Sequence, residues 1–243
     1  MSRFGALTRV LLRYDIRDWS NMIFTFLVPA GLLVVLVLAF HEPVKGVDLT
    51  GPISANVLAF GAAFVGVFAG ATHLALWREN GMLTVLRSFP ISSNTVISAQ
   101  AIAGVVMLLM QAAMLFIVAI VMGMRPDHTA PLALLPMAFG YLLFFVFGVI
   151  IGVVIPSMAA VSMGAMLVVI PLGYVGGATI PVEALPLWVQ MVAPYTPIYH
   201  IREAVTMLLI GEGSWLKVGI GIAYLVVMTA VLSLFAQRLM KWK

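Results

Sequence analysis

The chain has 243 residues, 63% hydrophobic and 9% charged, with mean hydropathy +1.14 and a formal net charge of +4. Soluble domains carry roughly 25% charged residues, so a water-soluble enzyme fold is excluded and an all-α polytopic membrane protein is expected. Without cysteine there is no disulfide, thiolate nucleophile or cysteine metal site.

Met1 to Ser20 carries Arg3, Arg9, Arg13 and Arg17 at about helical spacing, with Phe4, Leu7, Val10, Leu11, Tyr14 and Trp19 among them. This predicts an amphipathic helix over 1–20, lying in the membrane interface with its arginines toward anionic lipid headgroups. The charged region is too long for a cleavable signal peptide, and no small-residue cleavage site follows closely. Six spans follow, at about 22–40, 52–77, 96–123, 131–155, 158–179 and 215–235. Each is near the ~20 apolar residues that cross a bilayer. Short polar loops hold Glu42, Lys45 and Asp48, then Arg125, Asp127 and His128, and Pro156–Ser157 makes a tight turn. The spans leave no stretch for an ATPase or receptor domain, so 1–243 is expected to be a single transmembrane domain.

Lysine and arginine set the orientation. With both termini in the cytoplasm, the inside holds Arg3, Arg9, Arg13, Arg17, Arg78, Arg87, Arg238, Lys241 and Lys243. The outside holds only Lys45, Arg125, Arg202 and Lys217. The basic excess therefore sorts by membrane side, and a nucleic-acid partner is not expected.

The polar island Arg78–Pro90, R-E-N-G-M-L-T-V-L-R-S-F-P, then falls on the cytoplasmic face. Met82, Leu83, Val85 and Leu86 gather on one side, and Arg78, Glu79, Thr84 and Arg87 fall largely elsewhere. That pattern predicts a one- to two-turn amphipathic helix that stops near Pro90. Such a helix is a handle for a soluble partner; the plain alternative is a connecting loop.

The second irregular stretch is 180–213. Pro181, Pro186, Pro194 and Pro197 break it into pieces too short to cross. Brief helices are expected over 187–192 and 198–209, dipping into the outer leaflet and returning, with Trp188, Tyr195 and Tyr199 at the interface. Irregular backbone at that depth requires protein or water to satisfy it, and a plain extracellular loop is the alternative.

Few side chains suggest chemistry. There is no Gly-x-x-x-x-Gly-Lys-Ser/Thr phosphate loop, no metal spacing among the four histidines and no Asp or Glu inside a span, which argues against a proton-coupled pump. His73 is the one ionisable side chain within a span and reads first as a hydrogen-bonded interfacial residue. Gly66/Gly70, Gly148/Gly152 and Gly173/Gly177 are Gly-x-x-x-Gly pairs that permit close helix packing. Pro171, Gly173, Gly176 and Gly177 predict a kink in the fifth span. Asn56 and Gln111 read equally as interhelical glue or substrate contacts. The 16 methionines read first as lipid-facing residues.

The island resembles the loop after the second span in type-2 permeases of ATP-binding-cassette exporters, through Arg78, Glu79, Gly81, Leu83, Leu86 and Pro90. The stretch 185–205 is similar to that family's second signature, through Leu185, Pro186, Trp188, Pro197, Tyr199, Glu203 and Ala204, although Arg202 precedes Glu203 where many members place the basic residue later. The resemblance covers essentially the whole chain. It implies a permease subunit of the drug-export branch in a bacterial cytoplasmic membrane. Two such chains, identical or paralogous, would form the pathway for a hydrophobic drug, lipid-like molecule or peptide. Separate nucleotide-binding subunits would bind and hydrolyse ATP, so the permease would hold no cofactor. The resemblance also implies that spans 2 and 5 line the dimer interface and pore. The ATPase contact would be Arg78, Glu79, Gly81, Met82, Leu83, Leu86 and Arg87, with the N-terminal helix as a second contact. The re-entrant region would use Pro186, Trp188, Pro197, Tyr199 and Glu203. Two alternatives stand beside this reading. One is a polysaccharide or lipid-linked glycan exporter, which would favour an aromatic track; Phe139, Tyr141, Phe144, Phe145 and Phe147 cluster without forming a stripe. The other is a non-transporting anchor or assembly protein.

Overall fold

A computed structural model describes residues 3–40, 48–81, 92–178, 182 and 185–239. Among these there is no β-strand. The helices are α1 (Arg3–Arg17), α2 (Trp19–Met22), α3 (Val28–Ala39), α4 (Thr50–Glu79), α5 (Ser93–Val121), α6 (Leu134–Val154), α7 (Met158–Val175), α8 (Leu187–Val192), α9 (Pro197–Ile210) and α10 (Trp215–Leu239). A π-helical turn, Ile23–Leu27, joins α2 to α3. A 3₁₀ turn, Ala130–Ala133, leads into α6, and another, Ala193–Tyr195, follows α8.

Among the described residues five helices are long and apolar enough to cross a membrane: α4, α5, α6 with its leading turn, α7 and α10. The expected first span is the shorter apolar segment Ile23–Ala39. The chain is thus a multi-pass membrane protein.

The π turn has a local cause. Pro29 has no N–H to give the Thr25 carbonyl four residues earlier. Instead the Val28 N–H bonds back to the Ile23 carbonyl, five residues away. The Thr25 carbonyl accepts from Gln111 Nε2 on α5, at 2.7 Å. Gln111 is fully buried and fits because Gly61 faces it without a side chain. Of its two expected roles, the structure shows the interhelical one. Gln111→Leu is expected to remove that bond and to cost about 1 kcal/mol, read as a lower unfolding midpoint in mixed micelles.

α4 is the hub of the bundle. In its most apolar stretch 78% of residues are buried, against 17% for α10. Its closest partner is α6, and the contact is made by glycines on both sides. A Cβ on Gly66 would stand 2.5 Å from the Tyr141 carbonyl oxygen, and one on Gly152 would stand 2.7 Å from that of Ala71. Gly70 and Gly148 sit closer still, against the carbonyls of Phe145 and Val67. Backbone-to-backbone approach of this kind needs residues without side chains. The third glycine pair works differently. Gly173 makes room for the Phe60 ring, whereas Gly177 has φ +78° just beyond α7 and shapes the turn there. α7 remains helical through Pro171.

Two helices at the α1 end begin on serine caps. Ser92 Oγ accepts the Thr95 N–H at 3.2 Å, starting α5, and Ser157 Oγ accepts that of Ala160 at 3.3 Å, starting α7. At the other end, α9 packs against both α4 and α10. The loop between α5 and α6 closes its C-terminus: the Asp127 N–H donates to the Leu209 carbonyl and the Thr129 hydroxyl to that of Leu208. The His128 N–H, then the His128 side chain and the Thr129 hydroxyl, hold the Asp127 carboxyl below its usual range.

Candidate functional site

α1 does more than lie beside the bundle. Phe4, Leu7, Leu11 and Asp15 recur at helical spacing along one face. The apolar members pack with Trp77 on α4 and with Val96, Ala99 and Ala103 on α5. Asp15 continues that face and is only 2% exposed. Its Oδ1 lies 2.6 Å from His73 Nε2 on α4, and its Oδ2 accepts from Gln100 Nε2 on α5 at 3.2 Å. The arginine stripe of α1 was legible in the sequence; the carboxylate on its apolar stripe was not assigned. The available signal was Asp15 four residues after Leu11, in register with the buried face.

Hydrogen-bond counting limits the protons. His73 Nδ1 faces the Ala69 carbonyl at 3.0 Å. A carbonyl only accepts, so Nδ1 carries a proton. A second proton must then lie between Nε2 and the carboxyl. Either placement leaves the Asp15–His73 pair neutral in sum. His73 is thus a hydrogen-bonded residue, as the sequence suggested, but its partner is an acid from the N-terminal helix.

One helical turn further along α4, Arg78 and Glu79 hold the turn between α6 and α7. The Arg78 guanidinium donates to the carbonyls of Gly152 and Ile155, closing the C-terminus of α6. The Glu79 carboxylate accepts the Met158 N–H at 2.7 Å, where α7 begins. A cation at a helix C-terminus and an anion at an N-terminus both suit the helix dipoles. Gly81 follows with φ +69°, a turn conformation that favours glycine. Arg78→Ala frees two carbonyls on the α6–α7 turn and is expected to cost about 1–2 kcal/mol, read as a lower midpoint of thermal unfolding. Met82, Leu83, Leu86, Arg87 and Pro90 lie outside the described residues.

A cavity of about 220 Å³ opens beside the Asp15–His73 pair. α1, the π turn, α4, α5 and α7 all contribute to its wall. Tyr14, on its rim, has its hydroxyl pushed above the usual range by burial, then by the Asp18 and Asp15 carboxylates.

The second set of sequence-selected residues sits at the far end. Pro186 precedes α8, whose Trp188 is 61% exposed. Pro197 starts α9, and Tyr199 lies under the Arg202 guanidinium, 5.3 Å from ring centroid to Cζ. Arg202 is buried and pairs with Glu203, whose other oxygen accepts from Lys217 on α10 at 2.8 Å. Glu203 therefore ties α9 to α10. Pro181 lies outside the described residues. The aromatic residues Tyr141, Phe144 and Phe145 are buried in the helix packing and form no exposed track. No group of three or more metal-ligating side chains occurs among the described residues.

Residues 3–210 match the family described as ABC-2 type transporter. No curated protein matches the chain.

Proposed function

The chain belongs to the ABC-2 type transporter family, a permease and not the ATP-binding subunit of an ABC transporter, and from that premise we propose that it forms half of an ATP-driven export channel. A second permease copy or a paralogue completes the pathway, and separate ATPase subunits bind and hydrolyse ATP. The α1 end of the bundle is the cytoplasmic end, in a bacterial inner membrane, and both termini lie there. Residues 78–90 form the coupling element, and its substrate is a hydrophobic molecule.

One observation carries this reading: α4 reaches the loop with its last two residues fastened to the α6–α7 turn. A push on that loop is delivered to three spans at once. The Asp15–His73 bond adds α1 to the same unit. The test is association. Tagged permease, extracted in mild detergent, should retain its genomically adjacent ATPase through purification and gain ATPase activity with it. Purification of a folded permease free of that ATPase would remove the coupling reading.

A further inference from the structure

A groove of about 370 Å³ opens between α5 and α10, with α6 as its floor. Asn94, Ser98 and Ala101 share one face of α5 at helical spacing and form one wall. The opposite face of α5, with Val96, Ala99 and Ala103, packs on α1, so the N-terminal helix lies on the far side. Thr229, Ser233 and Gln237 recur every four residues along α10 and form the other wall. The floor is apolar: Leu142, Phe145, Val146 and Val149. Asn94 is at the start of α5 and Gln237 near the end of α10, so both amides stand at the rim. At 1.5 Å per residue, Ser98 and Ser233 lie about 7–9 Å inside. Thr229 lies deeper and gives its hydroxyl to the Leu225 carbonyl. Among the described residues, the side chains of Asn94, Ser98, Ser233 and Gln237 make no hydrogen bond, and no charged residue or histidine lines the groove.

We infer that this groove seats one membrane lipid by its glycerol-ester region, with an acyl chain laid along α6. The order of groups from rim to floor is that of a lipid: amides, then hydroxyls, then apolar surface. Each bilayer face carries a polar layer about 5–8 Å deep over the hydrocarbon, so both rows of donors reach down to the ester level. Ester carbonyls only accept, and the amide N–H and serine O–H groups have hydrogens to give. Donors facing hydrocarbon without a partner are costly, and an ester supplies acceptors where water is scarce. The uncharged lining does not read the headgroup. A helix from a second copy, about 10–12 Å across, is too wide to enter, and a water-soluble guest would leave the α6 floor unmatched. α10 packs on α6 and α9; the lipid adds α5 to its supports. Only the naming of this leaflet as cytoplasmic rests on the export reading.

The test titrates the full chain, in a non-ionic detergent and without the ATPase, by native mass spectrometry. The probes are dioleoyl phosphatidylcholine and its diether analogue, which keeps the headgroup and chain length and lacks the carbonyls. The first diester lipid should bind about three- to tenfold more tightly than the diether, as one net hydrogen bond gives. Ser98→Ala with Ser233→Ala should cut that ratio to about twofold or less and leave the diether unchanged. Ala101→Phe, which fills the groove from its α5 wall, should weaken both lipids about tenfold or more. If Ala101→Phe elutes aggregated, the serine pair decides. Equal binding of the two lipids overturns the proposal, as does an unchanged ratio in the serine pair. Ala101→Phe that keeps its lipid but loses a dimeric mass also overturns it, because the groove would then be a contact between copies. Failure of the ATPase to associate would sink the coupling reading and leave this site standing.

Discussion

His73→Leu will destabilise the protein by about 3–5 kcal/mol, because it removes the 2.6 Å partner of a carboxylate buried among α1, α4 and α5. The acid is 2% exposed and also accepts an amide hydrogen from Gln100. Asp15→Leu will cost a comparable amount by leaving His73 Nε2 and Gln100 Nε2 without their acceptor. The double replacement, Asp15→Leu with His73→Leu, will recover most of the loss, since two apolar residues of similar volume remove both desolvation penalties. A double-mutant cycle measured by unfolding in mixed micelles reads this coupling directly. Additive single effects would mean that the 2.6 Å contact carries no interaction energy. The double variant also separates stability from function: it should fold and insert, yet bind α1 to α4 by apolar contact alone.

The second large effect lies in the α4–α6 seam. Gly70→Ala and Gly148→Ala each place a methyl against a backbone carbonyl, Phe145 in one case and Val67 in the other. Backbone cannot step aside as a side-chain tip can, so each change should cost at least the 1–3 kcal/mol typical of overpacking, and about 3 kcal/mol is expected here. Gly31→Ala in α3 and Gly219→Ala in α10 are the controls. A Cβ there meets nothing within 4 Å, and alanine in an open helical position should be neutral or stabilise by about 0.5–1 kcal/mol. Equal effects at all four positions would show that the seam is looser than described.

These two sites also mark what a sequence can disclose. Gly66, Gly70, Gly148 and Gly152 were visible because spacing alone puts each pair on one helix face. That the two pairs face each other required the fold. The short helices over 187–210 were readable from Pro186, Pro194 and Pro197, because proline constrains its own residue and the one before it. The π turn was not predicted, although its cause, Pro29, is local; that Gln111 on another helix meets the Thr25 carbonyl required the fold. Asp15 was missed for the same reason: the face of α1 was legible, but its partner is 58 positions away. Arg78 and Glu79 were selected for an outward role, through the family's pattern. The structure shows that both side chains also hydrogen-bond to the ends of α6 and α7. Local periodicity reveals which residues share a face; only tertiary contact reveals what that face meets.

The central claim is that residues 78–90 couple an ATPase to this bundle, and one comparison tests it. Wild type, Gly81→Trp, and Leu83→Glu with Leu86→Glu are each reconstituted in lipid with the genomically adjacent ATPase. Gly81→Trp puts a large side chain at φ +69°, a backbone shape that bulky residues avoid, while the paired glutamates charge the apolar side of the loop. The account predicts that both variants insert and fold like wild type but lose ATPase assembly or permease-stimulated ATP hydrolysis, about tenfold or more, as expected for charge placed in an apolar contact. Full assembly and wild-type stimulation in both would make the loop a mere connector and contradict the account.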